Sequence, residues 1–233
     1  MFENAVLITG AGQRVGFEIA KQFIATQDFP VLFSYRTERQ EVAELKALGA
    51  VGFQVDFTQQ DSFDKFCENI NEQVSSLRLL VHNASIWQKD AELTTTQFNE
   101  MFLLHQLIPY SLTLHLEKQL RSNSIVADVI AISDCKIATG HADYAAYLST
   151  KAGLATLMDS FAKKFAPNIK VNTVATGLVM FNKDDSADYR ANRLSQMALP
   201  IEPGAEVIWN AIQFLMNSQN ATGSTVELGQ LTN

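Results

Sequence analysis

Cysteine is scarce in this chain: Cys67 and Cys135 are the only two in 233 residues. Two thiols do not build a disulfide framework, so the expected setting is a reducing cytoplasm. No Cys/His cluster has ligand spacing, which argues against a zinc site, and no metal is expected. Positive charge is also in short supply. The 18 Lys and Arg against 25 Asp and Glu leave a net charge of -7. That balance argues against a general nucleic-acid or anionic-membrane surface, but it leaves room for a local basic pocket around a phosphate. No apolar run approaches the roughly 18 residues of a membrane span. The opening Met1-Phe2-Glu3-Asn4 lacks the basic and apolar regions of a signal peptide. Linkers, low-complexity tracts and internal repeats are absent as well.

What is present is a hydrophobic content of 47%, enough to bury a sizeable core in one α/β domain over residues 1–233. Apolar strand patterns alternate with helical ones. Strands are expected at 5–9, 31–35, 51–55, 77–82, 125–133, 169–174 and 225–228. Val15, Ile19, Phe23 and Ile24 recur at helical period, as do Val42, Leu45 and Leu48, with Gly49 closing the second helix. Asp61 is expected to cap a third helix carrying Phe63, Phe66, Cys67, Ile70 and Val74 inward. A long helix over 96–120 should kink at Pro109. Further helices are expected at 144–165 and 204–217. The polar segment 178–202 reads as an irregular loop of functional length. Strict β/α alternation with apolar strands implies a Rossmann-like, doubly wound parallel sheet covered on both faces. Ligands in such sheets bind at the carboxyl ends of the strands.

The chemistry-bearing residues fall at those ends. Thr9-Gly10-Ala11-Gly12-Gln13-Arg14-Val15-Gly16 joins strand one to helix one, where glycines let the backbone approach a pyrophosphate and the helix N-terminus attracts it. Ser34-Tyr35-Arg36-Thr37 ends strand two without the acidic residue that would bind the ribose hydroxyls of NAD. Arg36, helped by Arg14, suits a 2′-phosphate instead, which favours NADPH. Asp56-Phe57 ends strand three and either meets the adenine edge or caps the next helix. His82-Asn83-Ala84-Ser85 ends strand four with small residues and an amide. Trp87 follows, placed to stack a flat ring. Tyr147 and Lys151 stand one helical turn apart. A free phenol titrates near about 10, and a nearby ammonium favours phenolate, so the pair is expected to be a proton donor of lowered pKa. Tyr144 lies seven residues from Lys151 and cannot share that geometry. His115 reads as structural.

Taken together, these residues resemble the short-chain dehydrogenase/reductase family over essentially the whole chain, on the glycine-rich turn, His82–Ser85, Tyr147 with Lys151, and Val171-Asn172. Within it the chain is similar to the pteridine reductases. Arg14 replaces the middle glycine of the turn, Ser34–Thr37 recurs in that branch, Asn83–Trp87 ends in an aromatic, and Asp134 takes the place of the usual serine. The resemblance implies an NADPH-dependent homotetramer with strand order 3-2-1-4-5-6-7. It implies a cofactor site that also includes Val15, Gly177 and Leu178, with Lys151 on the nicotinamide ribose. A pterin would be sandwiched between Trp87 and the nicotinamide, with Arg14 and Ser85 touching both cofactor phosphate and substrate. Three positions depart from the family. His105 stands where an asparagine usually holds a relay water, a role a histidine can also fill. Thr176 replaces the proline before Gly177. Gly229-Gln230 replaces a C-terminal Asp-Gly-Gly.

Asp134 sharpens the expected reaction. Carbonyl reduction builds negative charge on oxygen, which donors stabilise and a carboxylate opposes. Reduction of a dihydropterin sends hydride to a C=N carbon and develops no alkoxide. Asp134 can polarise Tyr147 or hydrogen-bond the pterin N–H groups. The expected reaction is therefore NADPH-dependent reduction of a 7,8-dihydropterin, dihydromonapterin foremost, with dihydrofolate and dihydrobiopterin sharing the ring. Catalysis is assigned to Asp134, Tyr147 and Lys151, and substrate binding to Arg14, Ser85, Trp87, Asp134 and Tyr147. Phe181, Asn182, Tyr189 and Met197 of the 178–202 loop are expected to choose among pterin side chains. Two other readings stay open: a carbonyl reductase of the 3-oxoacyl type, which expects serine at 134, and a non-catalytic NADP-sensing protein, which expects loss of Tyr147 or Lys151.

Overall fold

The computed structural model describes residues 1–26 and 29–229. β1 (Ala5–Ile8) leads into α1 (Arg14–Thr26), β2 (Val31–Tyr35) into α2 (Gln40–Ala47), and β3 (Val51–Gln54) into α3 (Gln60–Gln73). After β4 (Leu77–His82) comes a broken helical run: α4 (Thr95–Phe102), a π-helical stretch (Leu103–Leu107), α5 (Ile108–His115) and α6 (Glu117–Arg121). β5 (Ala127–Asp134), α7 (Ala145–Phe165), β6 (Ile169–Thr176), α8 (Ala187–Ser195), α9 (Glu206–Asn217) and β7 (Thr225–Leu228) complete the order.

The seven strands form one sheet in the order β3-β2-β1-β4-β5-β6-β7, as expected, and every pairing is parallel. Strand side chains alternate between two apolar layers. Ala5 and Leu7 join Phe66, Ile70, Leu112, Met158 and Phe161 beneath α3, α5 and α7. Val6 and Ile8 join Phe23, Leu45, Ile208 and Ile212 beneath α1, α2 and α9. Both faces are thus buried, which is why the strands read as continuous apolar runs. Strand order reverses direction between β1 and β4, and their carboxyl ends open the crevice where the site lies.

Several local expectations are corrected. Asp61 lies in the first turn of α3, but Gln59 is the capping position and no side chain caps it. The run after β4 is not one continuous α-helix. It is interrupted one turn before Pro109 by the π stretch, and Pro109 sits in the first turn of α5, where a missing N–H is tolerated. Ile125 and Val126 are exposed and precede β5. Leu48 is exposed just after α2, and Gly49 closes that helix at φ +98°. The 178–202 segment contains α8, whose Ser186 side chain accepts the Tyr189 N–H. At the C-terminus Gly229 lies against Cys135, and Gln230 falls outside the described residues.

At the amino end of β5, Asp128 is fully buried. It pairs with Arg78 of β4, and with Lys170 of β6 at 3.2 Å. Lys170 Nζ also donates to the carbonyls of Leu215 at 2.7 Å and Ser218 at 2.8 Å, and Arg78 donates to that of Met216 at 3.3 Å. Two cations thus neutralise one carboxylate and tie off the carbonyls at the end of α9.

Candidate active site

The β1–α1 turn is built by side chains from three strands. Ser34 Oγ accepts the Gly10 N–H at 3.0 Å. Thr9 Oγ1 accepts the N–H groups of Asn83 at 3.0 Å and Ala84 at 3.1 Å. The Asn83 amide donates to the carbonyls of Thr9 and Gly10, both at 3.0 Å. Ser34 and Asn83 therefore shape the turn with the groups they were expected to offer a cofactor. Gly10 adopts φ +69°, and a Cβ there would come within 2.7 Å of the Ala84 backbone. A Cβ on Gly16 would lie 2.7 Å from the Gly10 carbonyl oxygen. The glycines are thus required by close approach of the turn, α1 and the β4 end.

This turn floors a cleft of about 610 Å³, walled by Tyr35, Arg36, Val55–Thr58, Asn83–Trp87, Ile132, Ser133, Tyr147, Lys151 and Thr176. The volume and the exposed N-terminus of α1 fit a dinucleotide. Arg36 is exposed at the cleft edge, and Arg39 joins it there. Arg39 was missed in the sequence, although its place three residues after Arg36 could have signalled it. Asp56 lines the cleft, yet its carboxylate bonds the Thr58 N–H at 3.0 Å and the Thr58 hydroxyl at 2.7 Å, a turn leading into α3. Phe57 is largely buried against Phe63 and Phe66. Of the other expected cofactor residues, Gly12 and Val15 lie on the cleft. Gly177 and Leu178 do not, and Thr176 stands there instead.

Arg14 has φ +53°, an uncommon conformation for a side-chain-bearing residue. Its guanidinium reaches the 178–202 segment, donating to Asn182 Oδ1 at 2.5 Å and the Met180 carbonyl at 3.1 Å. That segment therefore meets the glycine turn through one side chain. Phe181 and Met197 are buried within it, and Tyr189 is exposed, its ring edge to face with that of Phe181.

Trp87 is 57% exposed, so it is not a core aromatic; its ring and that of Tyr144 meet edge to face with centroids 5.9 Å apart. Behind it, Asp90 accepts the N–H of Ala145 at 2.7 Å and of Ala146 at 3.2 Å. Asp90 thus caps α7 from 55 residues away, a role invisible to local capping rules. Ser85 opens to the cleft and bonds His105 Nε2 at 2.8 Å. His105 is fully buried and its Nδ1 meets Thr150 Oγ1 at 2.8 Å. Both ring nitrogens have protein partners, so the expected water-holding role for His105 is not supported.

Tyr147, Lys151 and Asp134 come together as expected, but the electrostatics differ. The Tyr147 phenol lies beside the Asp134 carboxylate. Burial, then that carboxylate's charge and hydrogen bond, push the phenol pKa upward. The expectation that Lys151 lowers it is overturned, because Lys151 Nζ turns instead to the Ile132 carbonyl at 2.9 Å. Burial pulls Lys151 down to about 8, against the raising effect of Asp134. Asp134 Oδ1 also accepts the Lys136 N–H at 2.8 Å. Asp134 is not itself on the cleft wall; Tyr147 carries its influence there.

A family model described as short chain dehydrogenase matches residues 4–188. A dihydromonapterin reductase of Enterobacter sp. (strain 638) is 35% identical over 226 residues, covering 95% of this chain and 93% of the relative. One from Klebsiella pneumoniae is 37% identical over 221 residues, covering 94% and 92%. Among solved structures, an alternative dihydrofolate reductase from Brucella suis in complex with NADP superposes with a TM-score of 0.87. It covers 98% of this chain and 95% of that one, and at 21% identity it shares the fold.

Proposed function

Because the chain belongs to the short-chain dehydrogenase family, we propose that it reduces a 7,8-dihydropterin, dihydromonapterin foremost, to the tetrahydropterin with NADPH. The single observation that carries this reading is the Asp134 carboxylate placed beside Tyr147. Burial and that carboxylate hold the phenol pKa up, and the carboxylate's charge opposes negative charge growing at this wall of the cleft. Such a wall opposes a developing oxyanion and suits a ring edge rich in N–H groups. The names of the relatives, dihydromonapterin reductase at 35% and 37% identity, point the same way.

When bound, NADPH supplies the hydride. The glycine turn and the N-terminus of α1 would hold its pyrophosphate, with Arg36 and Arg39 toward the 2′-phosphate and Lys151 with Tyr147 toward the nicotinamide ribose. Trp87 offers an exposed indole face to the pterin. Arg14 and Asn182 link the glycine turn to the substrate segment. The proton that reaches the ring nitrogen comes from solvent rather than from Tyr147. Loss of the phenolic proton would set a phenolate against the Asp134 carboxylate, two like charges in a poorly solvated place.

The chain is read as one domain over residues 1–233, with the 178–202 segment choosing the pterin side chain. It is also read as a homotetramer in the cytoplasm. The free cysteines support the location, and the exposed Phe98, Phe102, Leu107 and Tyr110 on consecutive helical turns support self-association. Light scattering on the purified protein tests the assembly. Steady-state assays with NADPH test the reaction, comparing dihydromonapterin, dihydrobiopterin, dihydrofolate and a 3-oxoacyl thioester. Turnover of a dihydropterin is the expected result; turnover of the thioester alone would overturn the reading in favour of a carbonyl reductase.

A further inference from the structure

The Ser85–His105–Thr150 chain has one consistent set of proton positions. The Thr150 hydroxyl lies 2.7 Å from the Tyr147 carbonyl oxygen, which can only accept, so Thr150 donates its proton there. The Thr150 oxygen must then accept from His105 Nδ1, 2.8 Å away, which places a hydrogen on Nδ1. Burial first, and Lys151 second, hold the His105 pKa far below its usual value, so the ring is neutral and Nε2 carries no hydrogen. His105 Nε2 therefore accepts, and the Ser85 hydroxyl, 2.8 Å away, donates to it. The reverse arrangement would leave two oxygens, on Thr150 and Tyr147, 2.7 Å apart with no hydrogen between them.

We propose that His105 is a positioning residue that fixes the Ser85 hydroxyl as a hydrogen-bond acceptor facing the cleft, so that this point of the wall selects a ligand N–H group. The proposal rests on the dihydropterin reading for the identity of the ligand, but the proton assignment stands by itself. It also revises the role the family resemblance implies for Ser85: a hydroxyl whose proton is committed to His105 does not donate to a cofactor phosphate. The Asp134 carboxylate beside Tyr147 biases the same wall against a ligand oxygen that gains negative charge. A carbonyl oxygen at Ser85 would meet a lone pair, and a ring N–H group would meet a partner.

The tautomer is read directly by 15N NMR of the full chain with labelled histidine, the His105 signals being assigned by their loss in His105→Gln. A hydrogen on Nδ1 with bare Nε2 is expected; a hydrogen on Nε2 would overturn the proposal. The second measurement is KM for dihydromonapterin together with the NADPH dissociation constant from fluorescence. Ser85→Ala and His105→Leu should each raise KM roughly tenfold, as expected for one lost hydrogen bond, and the double variant should be no worse than either alone. NADPH affinity should change less than about twofold throughout, since the lost contact is to substrate. His105→Gln, whose amide has one acceptor and one donor, should restore most of the KM. Multiplying effects in the double variant, or equal loss of NADPH affinity, would mark His105 as merely structural and sink the idea. If His105→Leu does not fold, Thr150→Val serves: it removes the Nδ1 partner, and KM should rise with Ser85 and His105 both in place. An unchanged KM in Thr150→Val would count against the proposal. If the unaltered protein turns over no dihydropterin, the functional reading fails, and the NMR result alone decides the proton assignment.

Discussion

Strand β5 carries a carboxylate at each end, and the two live in opposite circumstances. Asp128, at the amino end, is fully buried between Arg78 and Lys170, whose remaining protons go to the carbonyls closing α9. Burial pushes its pKa up, against the downward pull of both cations. Asp134, six residues on, accepts a backbone N–H and has a phenol beside it. The nearby ammonium of Lys151 is felt through space but bonded elsewhere. One carboxylate has its charge balanced by counterions and holds structure. The other has it unbalanced at contact range and spends it on the proton affinities of its neighbours. The same residue type on the same strand is thus structural or chemical according to what the adjoining strands and helices place beside it.

The comparison is broken most forcefully at Asp128. Asp128→Ala leaves two buried cations facing each other and should destabilise the protein by roughly 3–5 kcal/mol. Urea unfolding would show this, while kcat/KM per folded molecule stays as it was. Asp134→Ser is the converse. Dihydropterin turnover should fall on the order of 10²–10³-fold, with NADPH affinity kept and the melting temperature nearly unchanged. Undiminished turnover would remove Asp134 from the chemistry.

A pH profile sharpens the contrast further. Lys151 loses its proton near pH 8, so kcat/KM should fall on the alkaline side with an apparent pKa of about 8. Asp134→Asn removes the charge that raises Lys151, and the limb should move to lower pH. Changes at Asp128 should leave the limb in place. The linked stability effect has a definite sign: the folded chain binds fewer protons than the unfolded one between about 8 and the ordinary value of 10.5, so Lys151's contribution rises with pH across that window. The smallest effect is expected from Asp90→Ala, which removes the cap of α7. It should cost about 1 kcal/mol, seen as a modest drop in melting temperature with a few-fold loss of kcat/KM.

Strands were the most legible part of the sequence. Those at 31–35, 77–82 and 225–228 match the expected bounds, and in the first two mostly apolar segments bounded by turn residues leave little choice. The π stretch at 103–107 was not legible, because its apolar spacing differs little from that of an α-helix and Pro109 drew attention to the wrong turn. α8 hid in a polar segment, since it has no buried residues to mark a stripe, although Ser186 was a readable start. The candidate site residues stood out as motifs at strand ends and as the Tyr147/Lys151 spacing on one helix. Their electrostatics did not, because spacing reports neighbours along one helix and says nothing of partners from other strands. Lys151 was credited with lowering Tyr147 from its i+4 position, whereas the Ile132 carbonyl and the Asp134 carboxylate decide the matter. The water-holding reading of His105 came from the family's asparagine at that position, and its actual partners Ser85 and Thr150, 20 and 45 residues away, leave no trace in local sequence.

The bond from Lys151 to the Ile132 carbonyl has a consequence for mutational tolerance. The anchor is main chain, so any residue at 132 that keeps β5 in register supplies the same acceptor. Position 132 can drift among strand-compatible side chains without moving the lysine, whereas a proline that distorts the strand would misplace it. The ammonium is thereby insulated from substitution at its own point of attachment, a robustness that a side-chain partner would not provide.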